Sequence, residues 1–259
     1  MSKILKKDVI EFIDLFENEK FDLVIADPPY NQDQGSWDVF ESESAYFDFM
    51  YKWLDRVLPK IKNNGSLYLF NNPRNSAYLL TYLESKGLIF QNWIVWEKKD
   101  GFSTHKKRFN VSQEVILFFT KGKGHTFNYD QVRVPYDSSS RIELAKSKGI
   151  LKNGKRWFPN DKGKLCPDIW KFSSDRHKRK VDGKVVKSLH PTPKPEDLIE
   201  RMILASSNPN DIVMDLFSGS GTTSAVAYKL NREFYACEND SVYYDFCLKR
   251  LNEMGFANE

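Results

Sequence analysis

The apolar run Phe21-Asp22-Leu23-Val24-Ile25-Ala26 stops abruptly at Asp27-Pro28-Pro29-Tyr30, and no other stretch constrains the fold as much. Five of the six residues suit a strand, but a proline pair has fixed φ and no N–H donors, so no strand continues through it. The junction predicts a strand ending in a rigid turn, at the edge where open α/β sheets place their ligand chemistry. It gathers one carboxylate, two prolyl carbonyls and one aromatic face. An exocyclic amino group on a flat base needs that set: acceptors for two N–H donors and a π-face to stack on. The same four residues also suit a plain strand-ending turn with a capping Asp, and the tetrapeptide alone does not separate the two.

Strand and helix patterns alternate on both sides of this turn. Residues 3–7 suit a strand, with Asp8 at an N-cap before a helix through Val9, Phe12, Ile13 and Phe16. Asn31 to Ser44 reads as a polar, mobile loop. Helical spacing returns at Phe49, Trp53, Leu54, Val57 and Leu58; Gly65 opens a strand through Phe70; a helix with Leu79, Leu80 and Leu83 stops at Gly87. Strands are expected at Phe90–Trp96 and Glu114–Phe119. Beyond residue 121 the alternation lapses, and it resumes with a proline-led helix at Pro195 that carries Leu198, Ile199, Met202 and Ile203. A buried strand Ile212–Met214, a turn from Asp215 to Gly221, a helix from Thr222, a strand ending at Glu238 and a helix from about Val242 to Met254 complete the pattern. This predicts one α/β domain in two halves, residues 1–120 and 190–259, around an insertion at 121–189.

Charge marks the same insertion. The net charge is only +4, yet residues 121–189 hold 18 Lys/Arg against 7 Asp/Glu, a local +11. The remainder is therefore about −7. Within the insertion lies the run Arg176-His177-Lys178-Arg179-Lys180, and before it Lys98–Phe109 adds Lys106, Lys107 and Arg108. Such segments suit a polyanion, and they equally suit a solvated insertion with a small core. No apolar run approaches membrane-spanning length, and no secretory leader stands at Met1-Ser2-Lys3-Ile4. Cys166, Cys237 and Cys247 are an odd number without metal-ligand spacing. Together these predict a reducing cytoplasm and no zinc.

The second constellation is Asp215-Leu216-Phe217-Ser218-Gly219-Ser220-Gly221-Thr222-Thr223, between a strand and a helix. A nicotinamide site wants G-x-G-x-x-G/A, whereas position 224 is Ser and Ala225 is one residue out of register. A phosphate-free, zwitterionic cofactor fits better: Asp215 for an ammonium, backbone N–H groups for a carboxylate. Glu238 ends the next strand, where a carboxylate chelates two ribose hydroxyls or else stays solvated. Adenosine, carboxylate and ammonium together describe S-adenosylmethionine.

These two motifs, in this order and with His190-Pro191-Thr192-Pro193-Lys194-Pro195 between them, resemble the β class of amino-methylating DNA methyltransferases. The likeness covers nearly the whole chain outside the basic region. Residues 125–130 and 148–160 resemble the MboII-type adenine branch in particular. The resemblance implies a doubly wound, mostly parallel Rossmann-like sheet with an inserted target-recognition region at 121–189. It implies adenine N6 in double-stranded DNA as target, GAAGA as site, and a cognate restriction endonuclease as functional partner; it allows a homodimer. Asp27, Pro28, Pro29 and Tyr30 would be catalytic: Asp27 and the Pro28 carbonyl take the amino group, and Tyr30 stacks on the extruded base. Phe217 would pack on the cofactor, Glu238 hold the ribose and Asp8 meet the adenine. Lys194, Thr222 and Thr223 would lie at the methionine end, with Asp215, Ser218, Gly219, Ser220, Gly221 and Asn239 completing the cofactor set. Lys106, Lys107, Arg108, Lys155, Arg156, Arg176, Lys178, Arg179 and Lys180 would contact DNA.

Rival chemistries separate by residue type. Cytosine-C5 transfer needs a Cys nucleophile, usually after a proline, but Cys166 precedes Pro167 and the other two lie in the terminal strand and helix. Cytosine-N4 transfer uses the same amino chemistry and stays open, although a tetrapeptide headed by Asp rather than Ser leans toward adenine. Methylation of RNA or of a glutamine side chain is less suited to the compact basic insertion. A non-catalytic DNA-binding module would have no need of Asp27 or the glycine turn.

Overall fold

The computed structural model describes residues 2–98, 106–173, 179–181, 184–186 and 193–258. Strand β1 (Lys3–Lys6) leads into α1 (Val9–Ile13), capped as expected by Asp8, whose Oδ1 accepts the Ile10 N–H at 2.9 Å. β2 (Phe21–Ala26) ends at the proline pair. α2 (Glu43–Val57), β3 (Ile61–Asn71), α3 (Pro73–Ser85), β4 (Ile89–Glu97) and β5 (Gln113–Thr120) follow. β3 starts earlier than Gly65: the polar residues Lys62 to Asn64 belong to it, with the register shifted between Phe21 and Leu23 of its neighbour. Lys62 offsets its polarity there by pairing with Asp22 at 2.8 Å.

The basic region is more regular than its sequence suggests. It holds α4 (Ser139–Lys148), an antiparallel ribbon of β6 (Ile150–Lys152) and β7 (Lys155–Trp157), then β8 (Ile169–Lys171). A second ribbon pairs β9 (Arg179–Val181) with β10 (Lys184–Val186). The chain closes with α5 (Glu196–Ser206), β11 (Ile212–Asp215), α6 (Thr222–Lys229), β12 (Glu233–Glu238) and α7 (Ser241–Glu253).

Eight strands form one sheet in the order β1-β12-β11-β2-β3-β5-β4-β8. β1, β12, β11, β2 and β3 run parallel, β5 is antiparallel to β3 and β4, and β8 lies parallel to β4 at the edge. Side chains of a strand alternate between faces, and both faces here are covered. Phe21, Val24, Ala26, Leu67, Leu69 and Leu117 pack under α1, α2 and α3. Leu23, Ile25, Tyr68, Phe70 and Ile116 pack under α5, α6 and α7. The result is the doubly wound α/β arrangement expected. Because the central strands are parallel, Asp8, Asp27, Asp215 and Glu238 all emerge at one edge of the sheet, with β2 and β11 adjacent. No described helix is long and apolar enough to cross a membrane.

Candidate active site

The carboxyl edge opens into a cleft of about 1290 Å³. Asp8, Asp27, Pro28, Pro29, Tyr30, Lys194, Asp215, Phe217, Ser218, Gly219, Ser220, Thr222, Thr223, Glu238 and Asn239 all line it. The sequence-predicted catalytic and cofactor residues thus share one space, except Gly221, which lies behind the turn against Cys247.

At the β2 end, both oxygens of Asp27 are held. The Tyr30 hydroxyl donates to Oδ1 at 2.6 Å, and the Lys194 ammonium donates to Oδ2 at 2.5 Å. The Tyr30 oxygen also lies 3.1 Å from Glu114 Oε2, but its one proton is taken by the shorter bond to Asp27; Lys194 lies 3.5 Å from the same Glu114 atom. Lys194 and Glu114 are 9% and 8% exposed, so these charges meet largely out of water. Lys98 pairs with the other Glu114 oxygen. Burial first, and Asp27 second, push the Tyr30 hydroxyl well above its usual range, which keeps it a neutral donor. The sequence reading puts Lys194 at the methionine end of a cofactor; here its ammonium engages Asp27 and Glu114. Glu114 is a residue that sequence reasoning missed. Its signal was a lone carboxylate opening the otherwise apolar strand Val115–Phe119.

The stretch after Tyr30, whose polarity suggested a mobile loop, is tied at its start by hydrogen bonds. Asp38, 1% exposed, gathers it. Its Oδ1 accepts the N–H groups of Tyr30 and Asn31 at 2.5 and 2.8 Å, and its Oδ2 those of Gln32 and Gln34 at 2.9 and 3.2 Å. The Tyr30 carbonyl accepts from Asn75 Nδ2 at 2.9 Å. Tyr30 is therefore pinned through its N–H, its carbonyl and its hydroxyl. Nothing in the local composition distinguishes Asp38 from a solvated loop carboxylate.

On the cofactor side, the turn is stapled to β12. Glu238 Oε2 accepts the Gly219 N–H at 2.7 Å and Oε1 the Asp240 N–H at 2.9 Å. Each carboxylate oxygen has two lone pairs, so these bonds leave acceptor capacity toward the cleft. Arg250 braces the turn from behind, donating to the Ser220 carbonyl at 2.8 Å and to Glu196 Oε1 at 2.6 Å. Asp215 is 3% exposed; burial, opposed by the Phe217 N–H and assisted by Asp27 and Glu238, pushes its carboxyl up to about 7. The Ser218 hydroxyl is buried beside Asp215 without a well-formed hydrogen bond. Phe217 presents a ring held edge-on by Trp53 at 5.3 Å. An apolar ring and carboxylates on either side of a glycine turn fit a cationic, hydroxyl-bearing cofactor such as S-adenosylmethionine. Among the described residues no His/Cys/Asp/Glu group of three or more could hold a metal ion.

Of the described basic candidates, only Arg108 also borders the cleft; Lys106 and Lys107 are exposed beside it. Lys155 and Arg156 stand on the exposed β6–β7 ribbon, where Arg156 Nη1 donates back to the Lys148 carbonyl at 2.8 Å. Trp157 and Phe158 are exposed next to them. Arg176 and Lys178 lie outside the described residues, and Arg179 and Lys180 belong to β9.

Residues 21–249 match the model of a family described as DNA methylase, which spans N6 and N4 enzymes. The chain is 54% identical over 254 residues to the type II methyltransferase M1.MboII of Moraxella bovis, covering 98% of each. The M1.HpyAVI–SAM complex is 28% identical with a TM-score of 0.63, covering 97% of this chain and all of that one. The cytosine-N4-specific PvuII DNA methyltransferase shares the fold at TM-score 0.72 and 17% identity, over 100% of this chain and 89% of its own.

Proposed function

The chain belongs to the DNA methylase family, and on that premise we propose that it transfers a methyl group to adenine N6 in duplex DNA, as an MboII-type modification enzyme. A type II DNA methyltransferase using S-adenosylmethionine is what the family dictates; adenine is our reading of the target. The meeting of Asp27-Pro28-Pro29-Tyr30 with the glycine turn and Glu238 in one cleft carries it. The Asp at the head of the tetrapeptide supports adenine over cytosine N4.

Bound S-adenosylmethionine supplies an electrophilic methyl on a sulfonium. An adenine amino nitrogen is a weak nucleophile because its lone pair is delocalised into the ring. In our reading Asp27 and the Pro28 carbonyl accept its two N–H bonds, drawing it toward sp³ geometry and localising the lone pair; this is orientation and electrostatics. The Asp27 charge also favours the positive charge that develops on that nitrogen. The Tyr30 face stacks on the base, whose extrusion from the duplex costs a few kcal/mol. Glu238 takes the ribose hydroxyls, Asp8 the adenine of the cofactor, Phe217 its apolar face and Asp215 its ammonium, while the turn amides and Thr222 and Thr223 face its carboxylate. Residues 121–189 serve target recognition between the two halves of the methyltransferase domain, with Lys155 and Arg156 among the phosphate contacts. A cognate endonuclease would be the functional partner.

The test is incubation with duplex DNA and cofactor, digestion to nucleosides and mass spectrometry. N6-methyladenine is expected; N4-methylcytosine would move the target to cytosine, and failure to bind cofactor in titration calorimetry would leave a DNA-binding module. Asp27→Ala is expected to abolish transfer while cofactor affinity stays within about tenfold, or ~1.4 kcal/mol. Joint loss of both would show that Asp27 serves the cofactor instead.

A further inference from the structure

We propose that Glu114 is a positioning residue for the transfer step, acting through Lys194 on Asp27. The inference rests on the reading that Asp27 meets the target amino group. The four side chains come from separate parts of the chain: Asp27 and Tyr30 from the β2 turn, Glu114 from β5 and Lys194 from the segment before α5. Tyr30 and Lys194 occupy the two oxygens of Asp27 at 2.6 and 2.5 Å. Glu114 Oε2 lies 3.1 and 3.5 Å from those same two groups. The single Tyr30 proton serves Asp27 at the shorter distance, so Glu114 Oε2 anchors Lys194, while Lys98 pairs with the other Glu114 oxygen.

Stability does not account for this arrangement. The residues that follow Glu114 in β5, Val115 to Phe119, are apolar and buried. A buried ion pair generally gains less than well-packed apolar residues would. Orientation does account for it. One lone pair on each Asp27 oxygen is engaged, which fixes the rotamer and leaves the second pair of each for an incoming N–H. Charge points the same way. Positive charge moves toward the amino nitrogen during methyl transfer, and an uncompensated Lys194 ammonium beside Asp27 would oppose it. The Glu114 carboxylate, shared with the Lys98 ammonium, offsets that ammonium in part.

The test compares full-length Glu114→Gln, Lys194→Met and the double variant with the parent, using cognate duplex and cofactor. In Glu114→Gln, kcat is expected to fall by roughly ten- to hundredfold, the scale of a misplaced reacting group. Cofactor and duplex dissociation constants should move by less than about threefold, the split expected for an interaction that serves only the transition state. Lys194→Met should lose a comparable factor, and adding Glu114→Gln to it should cost little more, because the two act as one unit. The double variant buries no unpaired Lys194 charge, so it keeps the comparison available if Glu114→Gln folds poorly. Losses that multiply, or a kcat loss matched by lost cofactor affinity, would overturn the proposal. A parental kcat in Glu114→Gln beside an inactive Asp27→Ala would sink the inference and spare the reading of Asp27. A parental kcat in Asp27→Ala would sink that reading itself.

Discussion

Asp215 shows how a residue's surroundings decide what its type can do. Its carboxyl is pushed up to about 7, chiefly by burial, with Asp27 and Glu238 adding to the shift. Near neutrality it is then partly protonated in the free protein, and a cationic ligand would draw it into the ionised form. The sign follows: below its pKa a proton must leave before the ammonium is held, so cofactor affinity should rise with pH. The window is pH 5.5 to 7, below the range of ~7.7–8.0 where an α-amino group loses its own proton. Calorimetry is expected to show a dissociation constant about tenfold larger at one unit below the Asp215 pKa than for the fully ionised carboxyl, hence about fivefold larger than at the pKa itself, with proton release on binding. In Asp215→Asn the slope should vanish; a slope that persists would assign the proton elsewhere. At this scale the sequence was legible where a residue type coincided with a strand end, as at Asp8, Asp27, Asp215 and Glu238. It was silent on Asp38 and left only a lone strand-opening carboxylate at Glu114, because their roles arise from partners 4 to 8 residues back along the turn, or 84 residues away.

Elements fail or hold by backbone geometry. The turn between β11 and α6 needs Gly221 at φ +70°, and a Cβ there would lie 2.3 Å from Cys247 Sγ. Two penalties therefore add in Gly221→Ala, ~1–2 kcal/mol for the left-handed backbone and ~1–3 kcal/mol for overpacking. Thermal or urea unfolding should show a loss of about 2–5 kcal/mol, together with weaker cofactor binding as Gly219 shifts off Glu238. Gly221→Ala/Cys247→Ala should recover the packing share and leave the backbone share. Full recovery would mean that the φ constraint is minor, and no loss in the single variant would mean both that α7 gives way freely and that the φ constraint is minor. The glycine turn was readable because glycine marks such backbone directly. The start of the segment from Asn31 to Ser44 was unreadable for the opposite reason: what ties it is one buried carboxylate collecting the N–H groups of Tyr30, Asn31, Gln32 and Gln34, and hydrophobic periodicity carries no trace of that.

Across the whole molecule, charge and architecture divide the chain differently. The sequence separated residues 121–189 by their excess of 18 Lys/Arg over 7 Asp/Glu, yet β8 from that region completes the edge of the main sheet and buries Trp170 against it. Three residues are too short for a period to show, so pattern alone could not place this strand. Strand β8 thus ties part of the basic region to the body that carries the cleft. Lys155 and Arg156 stand on a ribbon whose six strand residues are all exposed, which suits a surface that meets the duplex. If each makes one phosphate contact, replacing both by Gln should flatten the slope of log affinity against log salt by up to about 1.8, at ~0.9 per contact. Affinity should drop uniformly across cognate and altered sites, because phosphate contacts position a protein without reading bases. The check is duplex binding titrated from low to physiological salt on both kinds of site. A slope equal to the parent's would make the ribbon a solvated face and move the phosphate contacts to the Lys106-Lys107-Arg108 stretch. A loss confined to the cognate site would instead mean that the ribbon reads base edges.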